Sequence, residues 1–294
     1  GEGHYPGMYL AGLYNRLVSD VSGRDIENED LVNTGNVLSM TFSIDGGEWF
    51  VPNENNVVEI YRELDFQTGV LVRELLVEDN KGRKTKITSQ RLASMDNPHL
   101  LSLKYTVEPQ NYTGEIRIKS ELIGDVINDG VERYRSLKQQ HLIKQRQGQN
   151  QDLAWIEVKT NQSDIKIASA VRHKCYINEN KIDFCGEFEE RESVVGFIFK
   201  RSVDQGNSFS IEKMASIYTS KPDDSVDPHI DSLLKLNFDA TFSEMVASNA
   251  LRWKDIWDKI DIKIEGDPKS QMLVRMHLYH LMVTASPHNI LIDA

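Results

Sequence analysis

Cysteine is nearly absent from this sequence: Cys175 and Cys185 are the two in 294 residues, too few for a disulfide framework or a four-cysteine zinc site. Positive charge is in the minority. Lys and Arg number 34 against 45 Asp and Glu, for a formal net charge of -11. That excludes the basic footprint needed for nucleic acid or for an anionic membrane surface, and leaves a neutral ligand such as a sugar open. Long hydrophobic runs are lacking as well, since no apolar stretch reaches the ~20 residues of a membrane-spanning helix. Signatures of several common catalytic folds are missing: there is no Gly-x-Ser-x-Gly elbow, no phosphate-binding loop and no dinucleotide fingerprint. There is no initiator Met and no signal peptide. The expectation is a removed leader or a trimmed front, with a cytoplasmic protein first and a periplasmic or secreted one after leader removal as the alternative.

What is present is alternation. The stretch 4–17 is dense in Tyr and Gly, as strands with close backbone approach are. Residues 24–33 follow, with Glu27, Glu29 and Asp30 packed together. They read either as a carboxylate loop for a metal or for sugar hydroxyls, or, more plainly, as a solvated acidic loop. Residues 37–44 alternate by two, and Asp45-Gly-Gly turns them into 48–51, a hairpin signature. Further strand-turn units cover 57–66, 70–77, 84–92, 100–107 and 114–123. Residues 125–151 are polar and nearly unpatterned, which predicts a long surface excursion. Strands resume at 153–160, 165–171, 174–177, 181–185, 193–200 and 209–218. Short polar turns between such units predict a large antiparallel β-sandwich, a mainly β fold occupying residues 1–222.

The period changes after Ser220-Lys-Pro-Asp-Asp-Ser-Val-Asp-Pro228. Leu233, Leu234, Phe238, Phe242, Met245, Val246, Ala250, Trp253 and Trp257 recur mostly at three and four, predicting one long helix or two short ones over 230–259. An alternating strand at 260–266 completes a helical linker, 223–266. In the last segment, 267–294, Asp267 is a good N-cap, Pro268 suits the first helical position and Gln271 lies near the capping-box spacing. From Met272 to Val283 only Arg275, His277 and His280 interrupt apolar residues. A surface helix carries one apolar stripe, whereas this one is apolar around most of its circumference. It is therefore expected to be buried on several sides and to open a second domain that is mostly absent.

Candidate chemistry is sparse. His277, His280 and His288 invite a metal reading, but no nearby Glu completes a familiar zinc motif, and satisfied buried histidines are the plainer account. Glu63 and Asp65 stand at strand spacing and could serve as a glycosidase acid and base, although alternating charges on a sheet more often face solvent. Cys175 and Cys185 flank the Asn178-Glu-Asn turn, as a disulfide or as two reduced thiols. Trp49, Phe50 and Tyr61 could stack on a sugar or belong to the core. On these grounds no residue is assigned as catalytic or metal-binding.

As a set, His4-Tyr-Pro-Gly-Met-Tyr-Leu-Ala-Gly-Leu-Tyr-Asn15, Ile26-Glu-Asn-Glu-Asp-Leu-Val-Asn33, Arg62-Glu-Leu-Asp-Phe-Gln-Thr-Gly-Val70, Arg252-Trp-Lys-Asp-Ile-Trp-Asp258, Ile264-Glu-Gly-Asp267, Leu278-Tyr-His-Leu281 and Thr284-Ala-Ser-Pro-His-Asn289 resemble glycoside hydrolase family 65. The family contains maltose, trehalose, kojibiose and nigerose phosphorylases and some α-glucoside hydrolases. The resemblance runs collinearly along the whole chain. It implies an N-terminal sandwich, a helical linker and the first helix of an (α/α)6 barrel. It implies inverting attack on an α-linked glucose disaccharide, with inorganic phosphate as co-substrate in a phosphorylase and no other cofactor. The partners implied are the remaining barrel and a second copy in a homodimer. The family's general acid, sugar-binding pair and phosphate or base site fall beyond residue 294, so no catalytic residue is carried over, and the chain alone is expected to be inactive. Glu27, Glu29 and Asp30 are the candidates for a substrate-proximal loop. The alternative is a stand-alone carbohydrate-binding or structural sandwich, which would have no reason to keep the terminal helix.

Overall fold

The computed structural model describes residues 7–129, 136–183, 186–222, 224–236 and 239–285. Within them the chain runs through fifteen strands and then three helices. β1 (Tyr9–Val21) and β2 (Arg24–Asn33) form a two-stranded ribbon. Its turn places Ser22 and Gly23 at φ 55 and 77, the double positive φ that matches the twist of a tight hairpin. The Asp20 carboxylate accepts the Gly23 N–H at 2.9 Å. The acidic run expected as a loop is thus a strand. Its charges obscured the period, and only pairing with β1 reveals it.

The first layer of the sandwich contains β3 (Met40–Ile44), β8 (Gly114–Ile123), β13 (Gly186–Arg191) and β14 (Val194–Val203), in the order β13-β14-β8-β3. The second layer starts as a meander of β4 (Val57–Asp65), β5 (Val70–Glu78), β6 (Lys84–Ala93) and β7 (Leu100–Pro109). It continues through β15 (Phe209–Thr219), β11 (Lys166–Ile177), β10 (Leu153–Thr160) and β9 (Leu142–Asn150), with β12 (Asn180–Ile182) hung on β11. Neighbouring strands within each sheet are antiparallel. Side chains at every second position interdigitate between the layers: Ile116 and Ile118 of β8 and Phe197 and Phe199 of β14 meet Val107 of β7 and Ile211 of β15, all within 1% of full burial. Each contributes about 1.5–3 kcal/mol. Gly196 is required here, since a Cβ would lie 2.1 Å from the Ser120 carbonyl oxygen.

Two polar groups are sealed between the layers. Lys213 of β15 is fully buried, and its Nζ donates to the carbonyls of Glu121 at 2.9 Å and Ser39 at 3.4 Å. His173 of β11 shares a 2.9 Å hydrogen bond between Nε2 and the Ser120 hydroxyl. Burial, with the Lys213 charge second, holds its pKa well below the usual histidine range.

Three sequence expectations change. Part of the stretch expected as a surface excursion is the edge strand β9, whose residues are mostly exposed and so carry no apolar alternation. Residues 48–51 form no strand; Phe50 N–H donates to the Phe42 carbonyl at 2.8 Å without a ladder. Nor do residues 260–266. With no neighbouring strand among the described residues, Ile264 N–H and the Ile262 carbonyl turn instead to the Gln271 amide at 2.7 and 2.9 Å.

The helical linker is two helices, α1 (Pro228–Lys235) and α2 (Phe242–Ile260). Cations of β11 reach the connection between them: Arg172 donates to the carbonyl of Leu236, the C-cap of α1, at 2.6 Å, and Lys174 to that of Ala240, just before the N-cap of α2, at 2.8 Å. A capping box opens α2. Thr241 Oγ1 accepts the Glu244 N–H at 3.2 Å, and Glu244 accepts the Thr241 N–H at 2.7 Å. Leu233, Leu236, Phe242 and Met245 build a second core on Leu92, Leu100, Ala170 and Met214 of the large sheet. α3 (Pro268–Thr284) follows, N-capped by Asp267 as its sequence predicts. Among the described residues no helix is long and apolar enough to cross a membrane.

Candidate functional site

The strand geometry of β2 separates the three acidic candidates. Glu29 pairs with Arg16 and Glu27 with Val18, whereas Asp30 pairs with Asn15, so Asp30 points to the opposite face from the two glutamates. Glu27 and Glu29 are exposed and share the Arg16 guanidinium, at 3.7 and 3.2 Å. Asp30 is half-buried, accepts from the Asn28 amide and lies 3.5 Å from Nε2 of His141. His141 is 1% exposed. Asn15 donates to its Nδ1 at 3.0 Å, which leaves the ring proton on Nε2, facing Asp30. Desolvation lowers the His141 pKa, and Asp30 opposes the shift. The other side of Asn15 accepts the N–H groups of Gln162 and Ser163 at 3.1 and 2.9 Å. The inward face of the ribbon is a polar pin to the sandwich, and its outward face is a carboxylate row able to accept hydroxyl hydrogen bonds.

The second candidate pair is placed in a large cleft of about 1030 Å³ lined by Glu63, Asp65, Phe66, Lys254, Trp257 and Arg275. Asp65 caps its own turn, accepting from Gln67 N–H at 2.8 Å and the Thr68 hydroxyl at 2.7 Å. Glu63 accepts from the Tyr61 hydroxyl. Across the cleft, Asp261 grips Arg275 through two bonds of 2.9 and 2.7 Å, and Asp258 holds Lys254 at 2.6 Å. The carboxylates are thus engaged with the protein itself. Nothing in this geometry sets one as an acid and another as a base.

The structural role of this cleft escaped sequence reasoning. The turn at 65–69 is clamped by α2: Trp257 Nε1 donates to the Phe66 carbonyl at 2.7 Å and Asn249 Nδ2 to the Thr68 carbonyl at 2.6 Å. Gly69 has φ +71, and a Cβ there would lie 2.6 Å from Trp253 Nε1. Tyr279 of α3 stacks on Trp253 at 4.5 Å and leans on Phe66 at 5.4 Å. The Gln67-Thr-Gly69 turn and the Trp253/Trp257 spacing were the available signals, but each pointed only to its own local element.

The hydrogen bonds and the ring stack that tie α3 to the rest of the chain come from Gln271, Arg275 and Tyr279, spaced by four. No residue of α3 is buried. Met272 is 54% exposed, Leu273 39%, Leu281 63% and Val283 46%, apolar side chains that an amphipathic surface helix would turn to its core.

The remaining candidates are dispersed. His277 and His280 are exposed on α3, and His288 lies outside the described residues. Among the described residues no group of three His, Cys, Asp or Glu side chains is placed to hold a metal ion. Cys175 is buried in the core, and Cys185 lies outside the described residues. Trp49 is covered by Arg117 and Lys119 at 5.1 and 4.9 Å from its ring centre, and Phe50 packs on Phe42 at 5.1 Å. Tyr61 remains exposed.

Comparison with known proteins places this geometry in context. The profile of glycosyl hydrolase family 65, N-terminal domain, matches residues 1–256. An uncharacterized glycosyl hydrolase of Mycobacterium tuberculosis is 33% identical over 293 residues, covering all of this chain and 22% of that protein. A kojibiose phosphorylase of Halothermothrix orenii is 28% identical, covering 98% of this chain and 37% of its own length. A trehalose 6-phosphate phosphorylase of Lactococcus lactis is also 28% identical, over 97% of this chain and 35% of its own length. A solved structure with a provisional kojibiose phosphorylase assignment, from human microbiome, superposes with a TM-score of 0.80 at 18% identity, covering 94% of this chain and 35% of that one. The chain therefore spans between a fifth and two fifths of the length of these relatives.

Proposed function

The chain belongs to glycosyl hydrolase family 65, and from that premise we propose that it is the N-terminal portion of an enzyme cleaving α-glucosidic bonds of glucose disaccharides with inversion. Residues 1–222 are the sandwich, 223–266 the linker and 267–294 the start of the catalytic (α/α)6 barrel. The observation that carries this reading is the exposed apolar surface of α3. A helix held by Gln271, Arg275 and Tyr279 while Met272, Leu273, Leu281 and Val283 stand in water matches the first helix of a bundle whose other members cover the apolar sides. The phosphorylase names of the relatives favour inorganic phosphate over water as the attacking group; the cytoplasm is the compartment in this proposal.

In this reading the sandwich shapes the mouth of the barrel and part of a homodimer interface. The outward carboxylates of β2, Glu27 and Glu29, face the sugar cleft, and Asp30 holds the ribbon in place. The acid and base come from the barrel, because Glu63 and Asp65 are engaged in structure. The test is an assay of the 294-residue chain, and of the same chain continued through a family 65 barrel, on kojibiose, maltose, trehalose and nigerose with and without phosphate. The chain alone should release neither glucose nor glucose 1-phosphate, and the extended protein should release glucose 1-phosphate only with phosphate present. Turnover by the 294-residue chain, abolished by Glu63→Gln or Glu29→Gln, would overturn the assignment.

A further inference from the structure

Three arginines converge in a groove at the rim of the sandwich. Arg62 of β4 and Arg73 of β5 are directly opposed in register. Arg91 of β6 opposes Leu71, one step along the same face from Arg73. The groove encloses about 280 Å³, with Leu38 and Met40 on the β3 side and Tyr105 of β7 also lining it. Like charges directly opposed across a sheet repel, and the chain has carboxylates in excess. Elsewhere Arg16, Arg83, Arg172 and Arg275 each hold an acidic partner. Among the described residues, Arg62, Arg73 and Arg91 have none. The groove lining contains no carboxylate among the described residues, and its fourth cation, Lys104, is already paired with Glu179 at 2.5 Å. Desolvation, and then the Arg73 charge, hold the Arg91 guanidinium below its usual range, although the residue as a whole is exposed.

Guanidinium forks bind phosphate oxygens two at a time, and a single dianion lying between these three would relieve their mutual repulsion. The volume is at the small end for ligand sites, below about 300 Å³, enough for a phosphoryl group with a small body. We propose that the Arg62–Arg73–Arg91 groove is a binding site for a phosphate dianion, free or as a small monoester. It lies on the sandwich and does not depend on the function proposed for the barrel.

Thermal melts and calorimetric titrations of the 294-residue chain at pH 7.5 test this, using inorganic phosphate, glucose 6-phosphate and chloride at matched ionic strength. A phosphate probe should raise the melting temperature saturably where chloride does not. Arg73→Gln and Arg91→Gln should each weaken its Kd by about tenfold or more, near 1.4 kcal/mol. Without ligand these variants should melt at or above the parent temperature, which separates lost binding from lost folding. Equal response to both phosphates assigns the site to free phosphate, and tighter binding of the sugar phosphate assigns it to a monoester. A response matched by chloride, one retained in the Arg73→Gln/Arg91→Gln double variant, or binding of an acidic peptide with no binding of either phosphate would overturn the proposal.

Discussion

Replacing Lys213 by Met should abolish a specific pH dependence of stability. The Lys213 amine is sealed between the two layers with backbone carbonyls as its hydrogen-bond partners. Burial pushes its pKa down to about 7, with the Glu121 charge opposing the shift. In the unfolded chain the same amine titrates near ~10.4. Below about pH 7 both states carry the proton, and this group adds no slope. Between there and about pH 10 the unfolded state holds a proton that the native state has released, so stability rises with pH across that window. A shift of roughly three units at about 1.4 kcal/mol each makes the total on the order of 4 kcal/mol. Urea unfolding of the parent and of Lys213→Met at half-unit steps from pH 6.5 to 10 measures it. The stability of the parent relative to the variant should climb by that amount, because groups common to both proteins cancel. At pH 6.5 the Met variant should be the more stable. A difference that stays constant within about 1 kcal/mol across the window would refute the reasoning, since the amine would then be charged in the native state throughout.

Two further outcomes follow from the joint around α2. Gly69→Ala should cost at least ~2 kcal/mol in urea unfolding, from the left-handed backbone and the encroachment on Trp253 and Asn249; an unchanged midpoint would show that the clamp is loose. Removing residues 262–294, which include α3, should leave the sandwich folded by circular dichroism and reduce self-association in sedimentation. Greater association after the deletion would contradict the assignment of the exposed apolar faces.

The sandwich was legible because its inner strands alternate. In β8, Ile116, Ile118, Ser120 and Leu122 are buried at every second position, and polar turns mark each end. Legibility failed where a strand has little core to face. β9 is mostly exposed and β2 is exposed over half its length, so charge and amide content hid their extended backbone. Residues 260–266 failed in the opposite sense, with good alternation and no neighbouring strand. The terminal helix and its cap were readable from Asp267 and Pro268 because capping is local. The clamp around the turn at 65–69 was not, because Thr68 and Asn249 meet across 181 positions and no period encodes that distance. The arginine groove also required register. Arg62, Arg73 and Arg91 are unremarkable singly and become a site only once the strands align them.

The way α3 is attached has a mechanical consequence. Gln271, Arg275 and Tyr279 are successive directional contacts about 6 Å apart along the axis, so the hydrogen bonds and the ring stack follow a line rather than a surface. A rod pinned along one line has its direction fixed but can rock about that line at little cost. Its final roll is then set by whatever meets its other sides. The ring stack of Tyr279 on Trp253 and the two-bonded Arg275–Asp261 pair fix where a neighbouring bundle would begin, and the fit of the apolar side chains would decide how it is turned. α3 thus carries an alignment edge, and the side chains left in water are the surface against which the proposed barrel would be registered.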